Sequence, residues 1–339
     1  MFSQKKVDIL KKKLDKAESI LITTHLRPDP DAIGSLLAMN YIIETLYPLK
    51  KVYVVIESQP PENFSWMDGF KDIEIGRLHD YSVDLIFFLD GSEIIRFVNK
   101  ISRDSSMLNS VFSVRIDHHE IKEKNKKDFD LHFGSYKFSS TCDVLHELFI
   151  NKMKLIPLDR KLATLFFVGI WCDIGFGTFG TNLSQSLSHV SQLIKQTDIS
   201  PEEILNKIRI LFNSYTIKIQ KEFTKNLKFE KNFAYSYLTD WIINSIKGKV
   251  TVSEINAIRS NFLSSVIVRM DYTSWGFVVY PAIDLADSYY TEFRSRGNGK
   301  NVFTYAKRLG GGGHKHASGA VIKARSYKEA LEKVLSVVK

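Results

Sequence analysis

Two cysteines, Cys142 and Cys172, are all the thiols this 339-residue chain holds, and they form no close pair. That excludes a disulfide framework and a cysteine-built structural zinc site, and fits a reducing, cytoplasmic setting. Long apolar runs are also missing. The longest candidate, Leu162 to Trp171, is broken by Thr164 and Gly169 and is too short to cross a bilayer, so no membrane association is expected. The lysine-rich start, MFSQKKVDILKKKLDKAES, lacks the apolar core and cleavage site of a secretory signal. Its Val7, Leu10 and Leu14 instead predict a helix lying on a domain. No internal repeat and no long basic block occurs. The only low-complexity spot is Gly310–Gly313.

What is present reads as globular: 44% hydrophobic and 25% charged residues, enough chain for two ordinary domains. The balance of 47 basic against 38 acidic residues leaves +9, compatible with polyanionic ligands such as nucleotides but decisive for nothing. Apolar runs at Ile20–Thr23, Val52–Ile56, Leu85–Leu89 and Val111–Ile116 alternate with helical patterns at Ala32–Leu46, Thr141–Ile150 and Leu158–Trp171. This predicts an α/β fold with a mostly parallel sheet covered by helices on both faces. The expected organisation is a domain over 1–185, a helical linker over 186–228 and a smaller α+β domain over 229–339. In the last domain, strands are expected at Ala234–Leu238, Ser264–Met270, Phe277–Tyr280 and Ser318–Ile322, and a closing helix at Tyr327–Val338.

Each apolar run of the first domain ends in ionisable residues. THLRPDPDAIGS brings His25, Asp29 and Asp31; LIFFLD brings Asp90; VRIDHHE brings Asp117, His118 and His119. Ligands of open α/β sheets bind beyond the carboxyl ends of the strands, so the three clusters point to one site. Asp173, after the apolar helix in GIWCDIGFGTFGTN, joins them. Carboxylates gathered in one cleft repel unless cations neutralise them. A mixed imidazole and carboxylate set suits Mn2+, with Mg2+ or Co2+ as alternatives.

HLRPDPDAIGS, FFLDGSE, RIDHHE and the Asp-Ile-Gly stretch, in that order, resemble the four motifs of DHH phosphoesterases, and RLGGGGHKHASGA resembles the glycine-rich motif of the DHH-associated C-terminal domain. The two-domain layout is most similar to the NrnA-type oligoribonucleases and 3'-phosphoadenosine 5'-phosphate phosphatases. The resemblance implies that His25 and Asp29 hold one Mn2+, that Asp31, His118 and Asp173 hold a second, and that Asp90 bridges both. It implies that His119 faces the scissile phosphate and that Asp117 orients an imidazole. It further implies substrate contacts from Arg294 and from Gly311, Gly312, Gly313 and His314, with Arg296 as a weaker candidate, on a small domain that closes over the metals. Two metals about 3.5–4 Å apart suit an in-line displacement by water.

The expected substrates are short single-stranded oligoribonucleotides and small nucleotides, with linear diadenylate as an alternative and a non-catalytic nucleotide-binding regulator as a minor one. The sequence is silent on oligomeric state, and the resemblance leaves a homodimer through the first domain open. Two departures stand out: Pro30 in place of a usual glycine, expected to shift the loop slightly, and Asp143 in place of a usual glutamate. Ser139-Ser140-Thr141 is expected to cap the next helix, and Cys172 to be a packed residue rather than a ligand.

Overall fold

The computed structural model describes residues 2–98, 111–121, 123–177, 180–208, 213–271, 273–283, 285–297 and 299–339. It divides into two compact units, Met1–Arg209 and Ile210–Lys339. The first holds strands β1 (Ser19–Thr24), β2 (Lys51–Ile56), β3 (Ile73–Ile75), β4 (Leu85–Leu89), β5 (Phe112–Ile116) and β6 (Leu131–Phe133). Its helices are α1 (Gln4–Lys16), α2 (Pro30–Leu46), α3 (Thr141–Leu145), α4 (Arg160–Asp173), α5 (Leu183–Thr197) and α6 (Pro201–Ile208). The second holds α7 (Ser214–Lys225), β7 (Lys228–Phe229), β8 (Ala234–Tyr237), α8 (Asp240–Ile246), α9 (Val252–Asn261), β9 (Trp275–Pro281), β10 (Ser288–Ser295), α10 (Phe303–Arg308), β11 (Gly312–His314), β12 (Ala317–Lys323) and α11 (Tyr327–Val338). The helical stretch 186–228 is shared: α5 and α6 lie in the first unit, α7 in the second.

The first sheet is entirely parallel, in the order β3-β2-β1-β4-β5-β6. This is a doubly wound order that reverses direction between β1 and β4, and a crevice opens at such a reversal beyond the carboxyl ends of the strands. Both faces are apolar because alternate residues of each strand enter different cores. Ile20, Ile22, Phe87 and Leu89 pack with α1, α2, α3 and α4, while Leu21, Val55, Ile86 and Phe88 pack beneath Leu78, Phe97 and Phe129. Among the described residues that second face is covered by short 3-10 turns rather than by long helices.

Helix α2 begins where Asp29 caps it, accepting from the backbone N–H of Asp31 and of Ala32 at 3.0 Å each. Pro30 occupies the first helical position, where its missing N–H costs nothing and its fixed φ suits the helix. Pro30 is thus compatible with an intact cap at the start of α2. Gly34 of α2 and Gly169 of α4 let these helices approach closely. A Cβ at Gly34 would lie 2.9 Å from Leu165 O of α4, and one at Gly169 would lie 2.6 Å from Asp31 Oδ1 of α2. The approach brings the carboxyl end of α4 beside the amino end of α2.

The second unit is a mixed sheet ordered β11-β12-β10-β9-β8-β7, parallel only between β8 and β9. One face packs α7, α8 and α9 around Phe262, Val278 and Tyr280, and the other packs α10 and α11 around Phe277, Phe293 and Val334. The expected strand at Ser264–Met270 is helical instead: a π-helical turn, Phe262–Val266, and a 3-10 turn, Ile267–Arg269, continue α9. Ile255, Ile258, Phe262 and Ile267 carry a helical period that starts before that window and overrides its β-branched composition. Likewise the helix expected over Thr141–Ile150 changes to π-helical winding at His146.

Candidate metal centre

Three strand ends build the centre. His25 follows β1, Asp90 follows β4, and Asp117 and His118 follow β5, so neighbouring parallel strands deliver them to one crevice. Asp90 takes a left-handed backbone conformation, φ 59°, which costs a non-glycine residue about 1 kcal/mol or more and turns its carboxylate into the cleft. Its backbone N–H still donates to Ile116 O at 3.1 Å, so the ladder to β5 pins the strained residue.

Around Asp90 the expected residues converge. His25 Nε2 lies 3.4 Å from Asp90 Oδ2 and 4.0 Å from Asp29 Oδ2. His118 Nε2 lies 3.6 Å from Asp90 Oδ1 and 3.3 Å from Asp173 Oδ2. Two triads therefore have donor atoms close enough to share one cation each: His25, Asp29 and Asp90, and Asp31, His118 and Asp173. The cap at α2 splits the duties of Asp29, Oδ1 holding the helix while Oδ2 faces His25. A third grouping joins Asp90, Asp117, His118 and His119.

His119 differs from His118 in its partners. Its Nδ1 lies 2.8 Å from Asp117 Oδ1 and 3.5 Å from Asp90 Oδ1. Asp117 is fully buried and accepts from Arg115, whose Nε donates to Gly91 O at 2.8 Å and whose Nη2 donates to His119 O at 2.9 Å. Arg115 thereby ties the loops after β4 and β5 together. Arg115 is not among the residues expected from sequence; a charged residue inside the apolar strand FSVRI, two positions from Asp117 and so on the same face, is the signal. Thr141 is the second omission. Its hydroxyl donates to Asp90 Oδ1 at 3.0 Å and its backbone N–H to Asp31 Oδ2 at 2.6 Å, while Cys142 N–H donates to Asp31 Oδ1 at 3.0 Å. Ser140 does cap α3, as expected. The Asp143 carboxylate meets Ser186 and His189, at 2.5 and 2.9 Å. Cys172 lies in none of the three groupings.

Burial and mutual repulsion among Asp29, Asp31 and Asp90 push the Asp31 and Asp173 carboxyls well above the usual range. Burial alone would do the same to Asp90, but His25, His119 and His118 outweigh it and hold Asp90 low. For His119, burial works against the charged form, yet the Asp117 bond and Asp90 raise its pKa to about 9. His118 moves down, through burial and the neighbouring His119 charge. Asp173 Oδ2 is buried and makes no hydrogen bond. An orphaned carboxylate oxygen among four crowded acids and two imidazoles is the donor chemistry of divalent-cation binding.

The residues expected to contact substrate all lie in the second unit. Arg294, a quarter exposed, stands near the end of β10 and donates from Nη1 to Phe293 O at 3.1 Å. Arg296 is exposed just beyond, its backbone N–H held by Ser274 O at 2.9 Å. Gly311 N–H donates to Ala306 O at 2.8 Å, and Gly312, Gly313 and His314 form the exposed edge strand β11. Gly313 adopts φ 125°, and a Cβ there would lie 2.6 Å from Ala317 O, so only glycine fits.

Residues 19–170 match the DHH family, N-terminal domain, and His25, Asp29, Asp31, Asp90, Asp117, His118 and His119 of the crevice all fall within that match. Over 308 residues, 91% of each chain, the protein is 28% identical to the Streptococcus mutans protein named "Probable bifunctional oligoribonuclease and PAP phosphatase NrnA". It is 26% identical over 307 residues, 90% of each chain, to the bifunctional oligoribonuclease and PAP phosphatase NrnA of Bacillus subtilis. An exopolyphosphatase-related protein from Bacteroides fragilis shares the fold with a TM-score of 0.81 at 22% identity, covering 99% of this chain and 95% of that one. The expected enzyme class, a hydrolase of phosphoester bonds, agrees with the DHH match and with the names of the two NrnA relatives. Among the described residues no helix is long and apolar enough to cross a membrane.

Proposed function

We propose that this chain is a Mn2+-dependent phosphoesterase that cuts short oligoribonucleotides to mononucleotides and removes a phosphate from 3'-phosphoadenosine 5'-phosphate. The observation that supports it most is the pair of triads flanking Asp90 at the topological switch of the sheet. His25 and Asp29 would hold one ion, Asp31, His118 and Asp173 the other, and Asp90 both. Divalent ions there supply Lewis acidity towards a phosphoester and lower the pKa of water for attack.

The chain's own groups do the rest. Asp31 is fixed by the two N–H donors of α3, so its carboxylate arrives oriented. Arg115 and Asp117 hold His119, whose charged form Asp117 favours, and it would serve as a donor for the non-bridging oxygens or the departing oxygen of a phosphate. The amino end of α2 adds a positive dipole beside the site. In the second unit, Arg294 and the exposed glycine strand up to His314 would take the nucleotide. The choice of nucleotide substrates draws support from the relatives, which span about nine-tenths of both chains.

The test is phosphate and mononucleotide release from phosphoadenosine phosphate and from labelled dinucleotides, with Mn2+ and with chelator. The reading expects turnover only with metal and its loss in Asp90→Ala. Turnover of pyrophosphate alone, or activity that survives loss of Asp90, contradicts it.

A further inference from the structure

Side chains alternate along β10, so Tyr290, Glu292 and Arg294 stand on the face that α9 covers, opposite the face of Phe293. Glu292 forms an ion pair with Arg259, which reaches in from α9. The same carboxylate oxygen, Oε2, lies 3.7 Å from Arg294 Nη1. One carboxylate stands between two guanidiniums, and among the described residues no second carboxylate forms an ion pair with either. Arg259 is also enclosed: its side chain is 9% exposed, its guanidinium sits 5.8 Å from the Tyr280 ring, and its Nε has no hydrogen-bond partner. Burial lowers the pKa of both guanidiniums, that of Arg259 to about 10 with Arg294 adding repulsion.

A pair that served stability alone would match charge for charge, because an unbalanced buried cation is costly. The register shows where the surplus points. Arg294 pairs with Ala317 and Ala317 with His314; Glu292 pairs with Gly319 and Gly319 with Gly312. Directly opposed residues share a face, so Arg294 and His314 border a row whose middle position carries only a methyl group. Two strand spacings separate them, about 10 Å. Gly319 keeps the next row open beside Glu292, since a Cβ there would lie 3.0 Å from Glu292 Cγ.

We propose that Arg259 is a second guanidinium for an anion at Arg294, and that Glu292 holds that anion's place until a terminal phosphate monoester displaces it. The identity of the ligand as a nucleotide rests on the proposed function; the anion chemistry rests on the cluster itself. A phosphate monoester carries about −1.5 to −2 at neutral pH and accepts bidentate bonds from each guanidinium. It balances two arginines where a carboxylate balances one. Glu292 has a way out, because its side chain is 23% exposed.

The experiment is equilibrium titration of the full chain, in chelator, with a dinucleotide bearing a 5'-phosphate and with its 5'-hydroxyl counterpart. The wild type is expected to favour the phosphorylated ligand at least tenfold. Glu292→Gln removes the occupant and should tighten the phosphorylated ligand severalfold while leaving the hydroxyl ligand unchanged. Arg259→Met with Glu292→Met removes both charges of the buried pair, which such cores tolerate, and should reduce the preference to twofold or less. If that double variant fails to fold by circular dichroism, Glu292→Gln decides alone. No preference in the wild type, an unchanged preference in the folded double variant, or weaker phosphorylated-ligand binding in Glu292→Gln overturns the proposal. Hydrolysis of the hydroxyl dinucleotide with Mn2+, measured in parallel, reads the proposed function separately. Preference without hydrolysis keeps the clamp and rejects the activity, and hydrolysis without preference does the reverse.

Discussion

Replacing Asp173 with asparagine should make the metal-free protein more stable at alkaline pH and less responsive to metal. In the folded chain the Asp173 carboxyl is pushed well up by burial and by Asp31, Asp29 and Asp90, and its Oδ2 has no hydrogen-bond donor. A carboxyl whose folded pKa exceeds its unfolded value binds more protons when folded, so its contribution to stability falls as pH rises from the ordinary carboxylate range through the folded value. Asparagine has nearly the same shape and no such titration. The melting temperature of metal-free Asp173→Asn should therefore exceed that of the wild type at pH 8, and the gap should close towards pH 4.

Metal reverses the order. A cation bound at one site at a hundred times its dissociation constant adds about 2.7 kcal/mol to the folded state. At about 2–4 °C per kcal/mol for a unit of this size, the wild type should gain about 5–11 °C per ion. The variant keeps His25, Asp29 and Asp90 but loses one donor of the second triad, so it should lose roughly half of that gain. Differential scanning fluorimetry from pH 5 to 8, with chelator and with Mn2+, reads both effects. A variant less stable than wild type at pH 8 without metal, or equally stabilised by Mn2+, refutes the reasoning.

Asp117→Asn removes the carboxylate that raises His119, so the His119 midpoint in the metal-free protein should fall from about 9 towards 6.5, as read by the imidazole resonances in an NMR titration. Thr141→Val deletes the hydroxyl that donates to Asp90 while nearly preserving volume; metal affinity measured by calorimetry should drop about 10–100-fold with little change in secondary structure. Gly169→Ala would set a Cβ 2.3 Å from Cys142 Sγ and 2.6 Å from Asp31 Oδ1, so urea unfolding should show a loss of about 1–3 kcal/mol together with weakened metal binding.

The parts legible in sequence were those written locally. Ile20, Leu21 and Ile22 announce a strand buried on both faces, and the position of His25 directly after it announces a crevice residue. Leu85–Leu89 and Tyr327–Val338 fall where their periods put them. What escaped depends on partners far away in the chain. Thr141 reads as one more helix-capping residue until Asp31 and Asp90, 110 and 51 positions distant, are placed against it. Arg115 reads as an intrusion in a strand until Gly91 O and His119 O are seen to accept from it. Ser264–Met270 has strand composition, but its period belongs to the helix that Thr251 and Glu254 cap thirteen residues earlier. β10, with Glu292 and Arg294 on one face, was hidden because its mixed tyrosine, charged and small residues give alternation without an apolar run.

The central claim is that imidazole and carboxylate groups from separate strand ends gather two divalent ions around Asp90. Anomalous diffraction at the manganese edge, from crystals grown with Mn2+, tests it most directly. The account predicts two peaks about 3.5–4 Å apart, one among His25, Asp29 and Asp90 and one among Asp31, His118, Asp173 and Asp90. Crystals that show no peak within coordination distance of Asp90 would contradict it.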